Sequence, residues 1–138
     1  MHFTSLYILK NEKLDDISRG EIEDRYTDDY CYCCGETNPY VTPYCDWFQF
    51  GGRWNDEGLV ASRGIKGSSS WYNESIEVPD NVYSIVEIKD LLEPVNEVYS
   101  IIFDGEEPIE DEDKIKEILE KINSKEINGV IALIDNHD

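Results

Sequence analysis

The chain has 138 residues, of which 31 are Asp or Glu and 12 are Lys or Arg, for a formal net charge of −19. That length fits a single domain over 1–138, and 40% hydrophobic content with 12% aromatics is enough to build a core, which excludes global disorder. The charge argues against direct binding of nucleic acid or of anionic membranes, no apolar run nears the roughly 20 residues of a membrane span, and the opening residues do not read as a signal peptide.

In chain order, His2–Leu9 predicts a strand closed by Lys10-Asn11, and Asp15–Tyr26 a short helix interrupted by Gly20. A Cys/Tyr-rich loop over 27–45 follows. Asp46–Phe50 reads as a strand stopped by Gly51-Gly52, with Leu59–Ala61 extending the sheet after a turn at Asn55–Gly58. Gly64–Ser70 has few bulky side chains and reads as a mobile loop. Val82–Ile88 and Val98–Phe103 predict strands separated by a turn at Asp90–Glu93. Asp111–Ser124 predicts the clearest helix: Ile115, Ile118, Leu119 and Ile122 form one apolar stripe, with acidic residues at its start and Lys121 and Lys125 near its end. Val130–Ile134 is the last strand. The order predicts an α+β fold, a mostly antiparallel sheet with helix on one face, in a ferredoxin-like arrangement carrying the Cys/Tyr-rich segment as a long insertion.

The acidic residues are not spread evenly. Between Gly67 and Asp113 there are fourteen of them against one base, Lys89. The stretch 104–113 is the densest, with carboxylates at seven of its ten positions: Asp104, Glu106, Glu107, Glu110, Asp111, Glu112 and Asp113. Neighbouring like charges repel, and a cationic partner relieves that repulsion. Three readings stay open: a solvated loop with a helix cap, a surface that copies a phosphate array and occupies a basic groove, and a calcium loop, for which the EF-hand spacing is absent.

All four cysteines, Cys31, Cys33, Cys34 and Cys45, fall within fifteen residues. Cys31-x-x-Cys34-Gly35 has the spacing of one zinc knuckle, so Cys31, Cys34 and Cys45 are candidate zinc ligands, with His2 or His137 to complete a tetrahedral set. Free thiols and a disulfide are the alternatives.

Asp46-Trp47-Phe48-Gln49-Phe50-Gly51-Gly52-Arg53-Trp54 is the most distinctive segment. Paired glycines permit positive φ and close backbone approach, and Arg53 beside Trp54 can present a charged fork over an aromatic face. Arg53, Trp54 and His137 are therefore candidate ligand-binding residues. On the plainer reading the glycines turn the strand, the Trp side chains fill the core and Arg53 pairs with a carboxylate such as Asp46. The run Asn38-Pro39 … Asp46-Trp47-Phe48-x-x-Gly51-Gly52-Arg53-Trp54 resembles the N-P…W-D-W-Y-x-x-G-G-R-W motif of small bacteriophage-encoded proteins. Lys66-Gly67 and Ile134-Asp135-Asn136-His137 are similar to that family's Lys-Gly step and terminal V-D-x-H. Two positions depart from it: Cys45 stands where the family has Trp, and Phe48 replaces Tyr. The resemblance implies a viral accessory protein working in the host cytoplasm.

No P-loop, dinucleotide fingerprint or nucleophile elbow occurs. His2 and His137 are the only histidines, one near each end of the chain. Either they are solvent-exposed terminal residues, or Asp135-x-His137 meets His2 or Arg53 across the sheet as an acid–base or metal site. The expected function is that of an anti-defence inhibitor of the anti-CRISPR kind. Its acidic face would bind the basic nucleic-acid-binding surface of a host protein or nucleoprotein defence complex, without catalysis. The alternative is a nucleotide-binding or nucleotide-modifying protein that uses the Gly-Gly-Arg-Trp turn and the terminal histidines.

Overall fold

The computed structural model describes residues 2–27, 48–54, 57–69, 77–95 and 97–137. The architecture is α+β, with a mixed, mostly antiparallel sheet and two α-helices. Strand β1 (His2–Lys10) pairs antiparallel with β8 (Gly129–His137) along its whole length, from His2 opposite His137 to Lys10 opposite Gly129. On the other edge of β1 lies β7 (Ser100–Phe103), parallel to it. Two strands share the outer edge of β8: β6 (Ile85–Glu87) takes residues 130–132 and β2 (Phe48–Gly52) takes residues 134–136. Beyond β2 runs β4 (Ser68–Ser69), in parallel. A separate antiparallel ribbon joins β3 (Leu59–Val60) to β5 (Val82–Tyr83).

Because successive strand residues face opposite sides, the alternation of β1 and β8 sorts the core into two clusters. Leu6, Ile8, Ile131 and Leu133 face helix α2 (Glu112–Asn123), which contributes Ile115, Leu119 and Ile122. Tyr7, Leu9, Val130, Ala132 and Ile134 face helix α1 (Arg19–Tyr26), which contributes Ile22 and Tyr26. The helices thus cover opposite faces, and the expectation of helix on one face holds only for α2. Strand β1 thus lies between parallel β7 and antiparallel β8, with α2 packed on one face. The long insertion after β1 delivers α1 to the other face and β2 to the far edge of β8.

Helix α2 matches its sequence signals. The Asp111 carboxylate accepts from the backbone N–H of Asp113 (2.9 Å) and of Lys114 (3.2 Å), the geometry of an N-cap. Its stripe is buried, and Ile122 is 0% exposed. Ile122→Ala is expected to lower unfolding free energy by about 2–5 kcal/mol, read from the urea midpoint at unchanged slope. In α1, Ser18 caps the helix by accepting from Glu21 N–H at 3.1 Å.

Three local expectations change. Strand β2 continues through Gly51 and Gly52 at φ +79° and +50° instead of stopping before them. Residues 59–60 join the β3–β5 ribbon rather than extending the main sheet. The described part of the Gly64–Ser70 segment is tied down. Ile65 N–H donates to Ile85 O (2.8 Å) while Ile65 O accepts from Ser84 N–H (3.0 Å), and Ser68–Ser69 pair with β2. Small residues there serve close packing: a Cβ on Gly67 would lie 2.2 Å from the Phe50 carbonyl oxygen.

Arg63 pairs with Asp15 (3.0 Å) and Asp90 (3.2 Å), linking the 3-10 turns Leu14–Asp16 and Ile88–Asp90. Its hydrogen bond to Asp15 is the main cause holding that carboxyl below the ordinary carboxylate range. A depressed carboxylate keeps its partner contact above the ordinary value and loses it as pH falls through the depressed one. In Arg63→Ala, NMR titration should find the Asp15 carboxyl moved upward from its depressed position. Among the described residues no helix is long and apolar enough to cross a membrane.

Candidate functional site

The antiparallel register of β1 and β8 brings the two histidines together, and β2 supplies the third side. His2 Nδ1 lies 2.8 Å from Asp135 Oδ1, and the backbone N–H of Arg53 donates to Asp135 Oδ2 at 2.8 Å. The Asp135 side chain is fully buried and that of His2 is 7% exposed. The rings of His2 and His137 meet edge to face with centroids 5.1 Å apart. A carboxylate only accepts, so His2 carries its hydrogen on Nδ1. Gly52 makes the approach of Asp135 possible. At φ +50° a side chain is strained, and a Cβ would stand 2.4 Å from Asp135 Oδ2. Directly across the ladder from Asp135 is Gln49, whose Oε1 is buried with no hydrogen-bond partner among the described residues.

His2, Asp135, His137 and the Arg53 turn, brought together only conditionally by the sequence, therefore do converge. The exposed-terminus reading of the histidines is corrected: His2 and His137 are both half-buried, because the strands run to these ends in register. Arg53 enters through its main chain, while its residue remains exposed. Asp46 and the candidate zinc ligands Cys31, Cys34 and Cys45 lie outside the described residues. Among those described, no group of three or more His, Cys, Asp or Glu is arranged to hold a metal ion.

The opposite face at this end carries a polar network with no predicted counterpart. Tyr26 OH donates to Asn136 Oδ1, Asn136 Nδ2 donates to Ser5 Oγ (2.8 Å), and Ser5 Oγ bonds Ser100 Oγ (2.7 Å). Carrying the alternation Val130, Ala132, Ile134 one step further to Asn136 was the signal that could have found it.

A cleft of about 590 Å³ opens on the α2 side of the sheet. Thr4 and Leu133, one same-face step from His2 and Asp135, lie in its lining with Trp54, and Glu57, Glu93 and Glu97 stand at it as exposed carboxylates. A second cleft of about 600 Å³ shares Glu97 and Val98 with the first and is bordered by Tyr99, Glu110, Glu112 and Lys116. The two form one continuous face. Tyr99, 54% exposed, is one of the two exposed large apolar side chains among the described residues.

Of the acidic stretch, Glu110 and Glu112 border this face, while Asp104 and Glu106 line a smaller cleft beside Lys10 and Arg25; its seven predicted residues divide by role. Asp104 accepts from Tyr7 OH and pairs with Arg25 Nη1 at 3.4 Å, and Asp111 caps α2, so both serve the fold. Glu106, Glu107, Glu110, Glu112 and Asp113 are exposed. Their backbone is anchored: Ile101 and Ile109 exchange hydrogen bonds of 3.0 and 2.8 Å, and Glu106 N–H donates to Phe103 O at 2.9 Å. Glu93 and Glu97 were counted in the acidic tract between Gly67 and Asp113 but not singled out, and Glu57, beside Asp56, lies outside that tract.

No family model, curated protein or solved structure matches this chain.

Proposed function

We propose that the protein binds a basic, nucleic-acid-contacting surface of another protein through its carboxylate-rimmed face and so blocks access of the nucleic acid. The observation that carries this reading is the continuity of that face. Among the described residues, five carboxylates, Glu57, Glu93, Glu97, Glu110 and Glu112, border the two adjoining clefts against one lysine, Lys116. Lys and Arg stems lie along apolar floor while their heads meet carboxylates at a rim, and a net charge of −19 steers basic partners toward it. Given the resemblance to bacteriophage proteins, the proposed setting is inhibition of a bacterial defence protein or nucleoprotein complex.

The test uses immobilised protein and a bacterial lysate, with captured proteins identified by mass spectrometry and then assayed with labelled duplex. The expected result is a nucleic-acid-binding protein that releases its duplex as this protein is added. A captured partner that holds the duplex and this protein together would overturn the reading.

A second reading is favoured by one specific observation, the gathering of both histidines and the Arg53 turn at Asp135. It assigns nucleotide binding to that end of the sheet. Calorimetric titration with nucleoside mono-, di- and triphosphates separates the two. Binding that Arg53→Ala abolishes favours the second, and no heat with any nucleotide removes it.

A further inference from the structure

The cleft beside Trp54 combines features that specify a ligand class. Its lining mixes polar and apolar surface, the apolar part including Leu59, Val98 and Leu133, each under a tenth exposed. Three carboxylates border it, and no basic side chain lines it among the described residues. A ligand that satisfies both features carries a positive head on an apolar stem. Trp54, half-buried, is part of the lining, and an indole attracts a cation that comes within about 6 Å of its centroid.

We propose that this cleft seats a single arginine side chain presented by the basic partner, an inference that rests on the reading given under Proposed function. Guanidinium fits better than ammonium for two reasons. It is planar and weakly hydrated, so it stacks on an indole at small desolvation cost, and its fork meets a carboxylate with two parallel hydrogen bonds. Lysine offers a compact, strongly hydrated charge that gains less from the ring. Arginine is also enriched among the few residues that dominate interface energy, which sit in desolvated pockets surrounded by a polar rim. Here Glu57, Glu93 and Glu97 supply the rim and Leu59, Val98 and Leu133 the apolar part of the pocket, while Glu110 and Glu112 at the second cleft contact the surrounding basic surface.

The test is 19F NMR of full-length protein labelled with 5-fluorotryptophan, with the Trp54 resonance assigned by Trp54→Phe. The probes are N-acetylarginine methylamide and its neutral citrulline and cationic lysine counterparts. Arginine is expected to shift the Trp54 resonance saturably. Citrulline should bind about tenfold more weakly, lysine measurably more weakly than arginine, and Glu93→Gln/Glu97→Gln should weaken arginine about tenfold. An unmoved Trp54 resonance, equal response to citrulline or lysine, or indifference to the double substitution would each overturn the assignment. If the double variant does not hold its fold, the citrulline comparison on unaltered protein decides alone.

The two proposals fail separately. Partner capture that depends on the acidic stretch, with no arginine response at Trp54, overturns the cleft assignment and leaves the binding function. An arginine response at Trp54, with a captured partner that keeps its duplex, overturns the binding function as stated and leaves the cleft a guanidinium site.

Discussion

Asp135→Ala is expected to lower folding stability by about 2–5 kcal/mol, the usual consequence of leaving two hydrogen-bond donors at a buried site without their acceptor. The substitution leaves His2 Nδ1–H and the Arg53 backbone N–H without their acceptor at a site where the carboxylate is 0% exposed. Total stabilities of domains this size run about 5–15 kcal/mol, so the loss is a large share of the whole. Gly52→Ala attacks the same contact from the other side. It places a methyl group 2.4 Å from Asp135 Oδ2 on a backbone at φ +50°, and should cost at least about 2 kcal/mol. Urea denaturation of the two variants checks the pair. Variants as stable as the unaltered protein would contradict it.

Charge reversal of Glu106, Glu107, Glu110 and Glu112 to Lys should weaken capture of the basic partner by about 100-fold or more, with stability nearly unchanged. Asp104 and Asp111 are left in place because Asp104 holds Tyr7 and Arg25 and Asp111 caps α2, so reversing either would confuse misfolding with lost binding. All four chosen residues are exposed on anchored backbone. Like charges relieved of mutual repulsion make the variant no less soluble a fold, so lost capture reports the interface. Surface plasmon resonance on the captured partner gives the ratio, and circular dichroism confirms the fold. Undiminished capture would place the interface elsewhere.

The fold was legible where one physical rule acted alone. The α2 stripe, its acidic start and its lysine end all agree, and the helix lies within one residue of its expected bounds at each end. Strand β8 was legible only as Val130–Ile134, because a strand covered on both faces reads as an apolar run and Asp135, Asn136 and His137 break that pattern while extending the strand. Their polarity is satisfied by partners from residues 2, 5, 26 and 53, and no local rule carries such distant pairings. The side of the sheet taken by α1 was hidden for a similar reason: Ile22 and Tyr26 give too narrow a stripe to indicate a face. The acidic stretch was plain in composition, yet which carboxylates serve the fold emerged only from Tyr7, Arg25 and the α2 cap. The clefts, formed by residues from five separate segments, had no signal in sequence at all.

The most direct measurement is the affinity of the captured partner across ionic strength, from about 0.1 M, where screening acts over about 10 Å, to about 1 M, where it acts over about 3 Å. Binding through the carboxylate face predicts a steep, continuous loss of affinity for the unaltered protein and a much shallower one for the four-residue reversal. Equal affinity at both ends of the range for the unaltered protein would contradict it.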